Sequence, residues 1–514
     1  MDSLTRKFAA ADWVEHHART QPGAIALMNH DTGETRTWAE LEARVGQIAW
    51  ALRHGLGLNP GDRICNLSDG DIRHFEMQFA CARAGLVWVP LNFRLTAPEL
   101  AELVRELSPK LMLTDPQWES VARDVAERLA IPHVLRWNPG AELDQLLSPE
   151  NRIEPHGEID PDAPLMVLFT SGTTGKPKAA IITAGGMVWQ ALNQVQYCAV
   201  AEPNSHVFAP LPLFHAGGIN SLSNPILYFG GQVTVSARFD PAIAAEYVGN
   251  PANGVTHITL VPLMFQMIAD SEPFQRADLR HTRGLVAGGG RCSQKLIDIY
   301  AEKGGRFTPQ YGGTETGPTV TSMNPDRVDK IVAGSCGQKS IHIEVRLVDE
   351  EGNAVPNGTP GEIWVRGPSI TPGYYGKDAA IERPGGWHKT GDVAWRDDEG
   401  FFYIVDRVKD MYKSGGENVF PAEVEQVLVL HPAVREVAVI GVSDDKWGEV
   451  GLAIAVLESG TVLTLEDLRL SCDGRLARYK QPKHLVIVEE LPRNVTGKVS
   501  KPALRAEYGG SRTV

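Results

Sequence analysis

The chain has 514 residues, of which 43% are hydrophobic and 22% charged, and its 50 basic against 63 acidic side chains give a net charge of −13. That length exceeds one ordinary core, so at least two domains are expected, with subdomains inside the larger. The acidic balance argues against a general nucleic-acid binder, since phosphate neutralisation needs basic density, but it leaves room for local cationic pockets.

Elements alternate between helical and strand patterns for most of the length, the signature of α/β layering. Thr37-Trp38-Ala39-Glu40 reads as a capping box, and Leu41, Val45, Ile48, Ala49 and Leu52 follow at helical spacing. Leu165–Phe169 is a short apolar run ending in a glycine-rich turn, which predicts a buried strand. Val255–Val261 and Leu285–Ala287 predict further strands of a central sheet. From about residue 335 to 405, short alternating pieces such as Ile343–Val348 and Glu362–Arg366 lie between EEGN, PNGTPG and DDEG turns, which predicts antiparallel β structure. A compact α/β pattern returns after about residue 410, with a helix from Pro421, a strand at Val437–Val442, a helix opened by Thr464 and a strand at His484–Val488. The boundary is placed in the polar stretch Asp406–Lys413, giving domains 1–408 and 409–514.

Cys65, Cys81, Cys198, Cys292, Cys336 and Cys472 are scattered without metal-ligand spacing, so buried free thiols in a reducing compartment are expected. Neither a signal-peptide core nor a membrane-length apolar run is present, and the last residues, GGSRTV, are no peroxisomal address, so the cytoplasm is expected.

The sharpest local signal is Thr170, Ser171, Gly172, Thr173, Thr174, Gly175, Lys176, Pro177 and Lys178, directly after a predicted strand. Hydroxyls and two lysines threaded through glycines form a nest of donors and cations suited to a polyphosphate. A Walker A loop does not fit, because Thr170 stands where its first glycine belongs and Pro177 follows Lys176. Phe169–Lys178 resembles the phosphate loop of the adenylate-forming superfamily, which includes acyl-CoA synthetases, peptide-synthetase adenylation domains and beetle luciferases.

An ordered set of further segments carries the same resemblance. Gly288-Gly289-Gly290 is similar to the adenine segment. Tyr311-Gly312-Gly313-Thr314-Glu315 resembles a segment in which the tyrosine packs near adenine, the threonine meets the α-phosphate and the glutamate helps hold Mg²⁺. Asp392 of Thr390-Gly391-Asp392 is implied to bind ribose, Arg407 to reach ribose or phosphate, and Lys409 to be the domain hinge. Pro212–Gly218 resembles the segment that lines the acyl site with Phe214 and His215, and Asn220, Val286 and Gly313 complete the expected pocket. His215 replaces the aspartate that amino-acid-activating relatives use to pair the substrate ammonium, which disfavours an α-amino acid. Lys498, in Pro492–Lys498, corresponds to the adenylation lysine, a point cation for the charge that shifts in the transition state. Gly415 and Gly416, with Trp447 and Lys483, resemble the parts that meet coenzyme A.

The resemblance therefore implies an α/β fold with a large N-terminal domain of two layered α/β subdomains plus a distorted antiparallel β-barrel, and a small mobile C-terminal α+β domain. It implies an acyl-CoA ligase that uses ATP, Mg²⁺ and coenzyme A, forms an acyl-adenylate, then rotates the small domain about Lys409 for thioester formation. A homodimer is a habit of the family. Small and apolar pocket candidates point first to a medium- or long-chain fatty acid and second to an aryl or cinnamic-type acid. Carrier-protein loading and a silent nucleotide-binding homologue are the rival readings. Three departures from the family pattern remain: the stretch Ile181–Gly186, where relatives usually have a Thr-His pair, Gly288–Cys292 for GGAPL, and Gly313 for a bulky residue.

Overall fold

The computed structural model of the chain describes residues 13–154, 160–170, 177–376, 383–493 and 499–509. It divides into two compact units, Met1–Glu344 with Val365–His388, and Val345–Trp364 with Lys389–Val514.

Two sheets organise the first unit. One has six strands in the spatial order His133–Arg136, Leu111–Thr114, Arg63–Leu67, Val87–Pro90, Pro164–Thr170 and Lys178–Thr183. Its neighbours run parallel except for the last pair, which is an antiparallel hairpin. The apolar run Leu165–Leu168 is buried along its length, as a parallel strand covered on both faces must be. The other sheet has nine strands, with a parallel centre that includes His206–Ala209, His257–Leu260, Gly284–Gly288 and Phe307–Tyr311. In open α/β sheets ligands gather beyond the carboxyl ends of the strands. Thr170, Gly288 and Tyr311 all stand at such ends.

Helices close the faces. The box at Thr37 forms as the residue types predict: Glu40 N–H donates to the Thr37 hydroxyl at 3.3 Å, and Thr37 N–H donates to the Glu40 carboxylate at 2.8 Å. The helix it starts, Trp38–Trp50, buries Leu41, Val45, Ile48 and Ala49. Trp38, Leu41, Phe75, Trp88, Met166, Leu168 and Val286 belong to one continuous apolar cluster. The helix Ala184–Cys198 packs on the strands Gly284–Gly288 and Thr321–Ser322.

The second unit holds the strands read between residues 335 and 405. They form a four-stranded sheet, Glu344–Val348, Gly361–Arg366, His388–Arg396 and Phe402–Arg407 in that order, and no closed barrel is present among the described residues. Four strands without a pairing between first and last leave both edges open, which corrects the expected barrel. The C-terminal segment packs Pro421–Leu428 and Leu465–Cys472 on a sheet built round the long antiparallel pair Val434–Asp444 and Gly448–Leu457. The cysteines are all free thiols and, apart from half-buried Cys336, buried. No helix among the described residues is long and apolar enough to cross a membrane.

Candidate active site

The glycine-rich loop hangs from a hairpin. Thr170 and Lys178 are cross-strand partners at its neck, while Ser171, Gly172, Thr173, Thr174, Gly175 and Lys176 lie outside the described residues. Glu315, 145 positions further on, reaches that neck: the Thr170 hydroxyl donates to Glu315 Oε1 at 2.9 Å. The Tyr374 phenol donates to the same oxygen at 3.1 Å, and Lys178 Nζ lies 4.9 Å from the Tyr374 ring centre, over its face. Burial and the adjacent Glu315 carboxylate push the Tyr374 phenol well above its ordinary range, so it stays a donor. The strand-end threonine, a lysine and the carboxylate are thus linked through Tyr374. Tyr374 was not foreseen; only the aromatic, glycine-rich run Pro372–Gly376 hinted at a built turn.

Glu315 sits in a one-turn 3-10 segment, Thr314–Thr316. Backbone bonds hold it from within, with Thr316 N–H on Gly313 O, and from outside, with Thr371 N–H on Glu315 O. A third grip comes from Asn220, whose amide donates to Gly317 O at 2.8 Å. Asn224 Nδ2 approaches Asn220 Oδ1 at 3.4 Å and exchanges amide hydrogen bonds of 2.8 and 3.0 Å with Gln78. All three side chains are buried. The expected pocket residue Asn220 is therefore a brace for the Glu315 turn. Asn220→Ala should leave the Gly317 carbonyl and Asn224 short of partners, at about 1–3 kcal/mol for each unsatisfied buried group. Urea denaturation should show the loss, and a midpoint equal to that of wild type would contradict the brace.

Phe214 is buried, edge-on to Phe93 at 5.6 Å, and its ring centre lies 4.5 Å from that of His215. The His215 carbonyl caps the next turn by accepting from Gly218 and Ile219 N–H. Val286 is buried inside its strand as part of the core. Gly288 is different: a Cβ placed there would meet nothing within 4 Å. Gly289 takes φ +77°, and a Cβ on Gly290 would touch Pro262 at 3.5 Å. Val320 N–H donates to Tyr311 O at 2.8 Å, which seats Tyr311, Gly312 and Gly313 against the 317–320 stretch.

In the second unit, Asp392 and Arg407 are cross-strand partners joined by an ion pair of 3.2 Å. Lys409 follows on a stretch anchored at both sides. Asp406 accepts from Ala422 N–H at 2.7 Å, and Asp410 pairs with Arg505 at 2.8 Å. Burial, aided by Arg407, draws the Lys409 ammonium below the usual lysine range. Gly415 and Gly416 form the two-residue turn between Tyr412–Ser414 and Glu417–Val419, with φ of +61° and +89°. Two successive positive φ values are what a tight hairpin of this twist requires, and they select glycine. The turn lies on Trp447, whose carbonyl accepts from Gly415 N–H at 2.8 Å. Lys483 N–H donates to Gly451 O at 2.8 Å, beside the same strand. Lys498 lies outside the described residues.

Comparison with known proteins decides the family. Residues 14–375 match the AMP-binding enzyme family, and residues 423–498 match the AMP-binding enzyme C-terminal domain. The chain belongs to the AMP-binding enzymes. It is 37% identical to a feruloyl-CoA synthase of an Amycolatopsis species over 98% of this chain and 100% of that one. It is 33% identical to an indoleacetate–CoA ligase of Aromatoleum aromaticum, over 96% and 97% of the two chains. Among solved structures it resembles the o-succinylbenzoate CoA synthetase of Bacillus subtilis bound to its acyl-adenylate intermediate. There the TM-score is 0.83 at 29% identity, with 98% of this chain and 99% of that one covered. As an AMP-binding enzyme of this kind, the chain is an acid–thiol ligase.

The residues in hand fit a magnesium ion with ATP. Glu315 Oε1 is held by two hydroxyls, and no donor among the described residues occupies Oε2. No three His, Cys, Asp or Glu side chains converge among the described residues to make a protein cage. Magnesium is commonly held by one or two carboxylates together with substrate phosphates and water. Glu315 supplies such a carboxylate beside the neck of the glycine-rich loop.

Proposed function

We propose that the enzyme activates an aromatic carboxylic acid, of the arylpropenoic or arylacetic kind, with ATP and transfers it to coenzyme A, releasing AMP and pyrophosphate. The observation that carries this reading is full-length likeness, at 37% identity, to a feruloyl-CoA synthase, beside the indoleacetate relative. The aryl acid thus takes precedence over the fatty acid that small, apolar pocket candidates suggested. In the first step the acid carboxylate attacks the α-phosphorus of ATP. The chain's part is positioning and charge: the glycine-rich loop and Lys178 for phosphate oxygens, Thr314 for the α-phosphate, Glu315 for the ion, and Tyr311 with Gly288–Gly290 for adenine. Asp392 and Arg407 serve the ribose, and Lys498 supplies the cation for the transferring group. The domains 1–408 and 409–514 alternate about Lys409, which brings Gly415, Gly416, Trp447 and Lys483 to coenzyme A for attack of its thiol on the adenylate.

The test is AMP release by purified protein with Mg-ATP and coenzyme A, across ferulate, 4-coumarate, cinnamate, indoleacetate, benzoate, decanoate, palmitate and amino acids. Turnover on the aromatic set that requires coenzyme A supports the reading. Turnover confined to the aliphatic acids overturns it. Pyrophosphate exchange without acylation of free coenzyme A transfers the second step to a carrier protein.

A further inference from the structure

Lys409, the expected hinge, divides a polar stretch whose contacts fall on both sides of it. Asp410, after the hinge, is held by Arg505 at 2.8 Å. Asp406, before it, lies near the end of the strand Phe402–Arg407 and is buried. Both of its carboxylate oxygens accept: Oδ1 from Arg407 N–H at 2.8 Å, and Oδ2 from Ala422 N–H at 2.7 Å. Ala422 is the second residue of the helix Pro421–Leu428, where the free N–H groups of the first turn and the helix dipole favour a carboxylate. Asp406 Oδ2 also faces Lys501 Nζ at 3.8 Å. The same ammonium reaches Glu425 Oε1 at 3.0 Å, which accepts from Val439 N–H at 2.7 Å.

Lys501 and Arg505 stand four residues apart on one face of the helix Lys501–Tyr508. Leu504 beside them is buried in an apolar cluster with Ile440, Val450 and Leu452, so the helix is fixed to the C-terminal sheet. Just before it, Arg493 and Val499 pair as an antiparallel bridge, and Ser500 N–H donates to Pro492 O at 2.7 Å. The two ends of the stretch that carries Lys498 are thereby pinned next to Lys501.

Position 409 sorts these contacts. Glu425–Lys501 and Asp410–Arg505 join residues that all follow it, so a turn about Lys409 leaves them intact. Asp406 precedes it, whereas Ala422 and Lys501 follow it. A domain rotation about that point carries both partners away from Asp406. Lys413 and Glu350 also face each other across position 409, at 3.6 Å, but with side chains 55% and 71% exposed they form a surface pair of little worth. The Asp406 and Lys501 side chains are only 6% and 14% exposed, where separating partners is costly.

We propose that Asp406, with Ala422 N–H and Lys501, is a latch across the hinge, a positioning contact that holds one of the two domain arrangements and is absent from the other. This rests on the alternation about Lys409 proposed above. Asp406 then helps to set the balance between adenylation and thioester formation, although no chemical step is assigned to it.

The experiment measures the half-reactions separately: pyrophosphate exchange with ferulate and Mg-ATP, and thioester formation from supplied feruloyl-adenylate and coenzyme A. Asp406→Asn keeps the size of the side chain, but its one amide oxygen cannot serve both N–H groups and its charge is gone. The ratio of the two rates should change by roughly tenfold or more, since a charged hydrogen bond is lost from one arrangement only. Lys501→Met should shift the ratio in the same direction. Glu425→Gln is the control: it disturbs the same lysine within the small domain, equally in both arrangements, so the ratio should stay within about twofold of wild type. Equal losses in both half-reactions for Asp406→Asn, opposite shifts for Asp406→Asn and Lys501→Met, or a Glu425→Gln shift as large as theirs would overturn the latch. Lys409→Pro separates the two readings, because a fixed φ restricts the turn at that position. If it leaves both half-reactions at wild-type rates, the hinge and the latch fall together. If it stops one of them while Asp406→Asn leaves the ratio unchanged, the latch alone falls. Should ferulate not turn over, the aromatic reading fails, and the same ratio measured with decanoate tests the latch.

Discussion

Glu315→Gln should slow adenylate formation by about 10²–10³, the usual loss when one preorganised charge contact is removed from a transition state. The substitution suits the question because it keeps the shape of the side chain and one carbonyl oxygen. Thr170 and Tyr374 donate to a single oxygen, Oε1, so an amide oxygen can still receive both. The turn is held besides by Thr371 N–H on Glu315 O and by Asn220 on Gly317 O, neither of which the substitution touches. What disappears is the negative charge beside the neck of the glycine-rich loop. The unfolding midpoint should hence stay near that of wild type while pyrophosphate exchange collapses and its dependence on magnesium concentration moves to higher values. A variant that keeps a tenth or more of wild-type exchange, with the same magnesium dependence, would remove Glu315 from the role given to it. Tyr374→Phe provides the contrast, since it takes away one neutral donor and leaves the carboxylate charged. Its loss should be nearer the contribution of one hydrogen bond, about 1–1.5 kcal/mol or roughly tenfold.

The contrast between Thr170 and Tyr374 also marks what the sequence could carry. Thr170 and Lys178 were legible because they lie in a short run whose residue types state a local chemistry, hydroxyl and cation among glycines, whereas Glu315 was placed by the family resemblance. The same holds for the box at Thr37 and for the buried strand at Leu165–Leu168, where local pattern and burial agree. Tyr374 was not legible, because its role depends on a strand-like bridge between Tyr374 and Ala180 that no spacing announces. Asn220 follows an apolar segment that reads as pocket wall, and only its distant partners Gly317, Asn224 and Gln78 make it a brace. The barrel failed for a related reason. Alternation and turn residues predict strands and hairpins, yet closure depends on whether the first and last strands pair, a long-range fact. Gly415 and Gly416 show the reverse case. Resemblance placed them by function, and the structure adds a backbone reason, two successive positive φ values in one tight turn.

Gly312→Ala should be the most damaging single methyl in the chain's catalytic segment. A Cβ built on Gly312 overlaps the carbonyl oxygen of Pro318 and comes within 3.1 Å of the Thr316 hydroxyl. The obstacle is backbone, which cannot swing away as a side chain would. Nor can the facing stretch retreat cheaply, because Val320 N–H is bonded to Tyr311 O at 2.8 Å and Asn220 fixes Gly317 O at 2.8 Å. Relief must come from parting the Tyr311–Gly313 and Gly317–Val320 segments, which breaks one or both of those bonds. Overpacking of this kind typically costs about 1–3 kcal/mol, and the added bond loss places Gly312→Ala at the upper end. The same parting displaces Thr314 and Glu315 from Thr170, and a shift of about 1 Å at a reacting centre can cost roughly 10² in rate. Both readouts should therefore move together, a lower unfolding midpoint and a loss of adenylation of at least that size. Gly313→Ala is the control one residue along: its Cβ would meet only Glu315 Oε2, at an ordinary 3.7 Å. If Gly312→Ala and Gly313→Ala behave alike, the close approach of the two backbones is not what selects glycine at position 312.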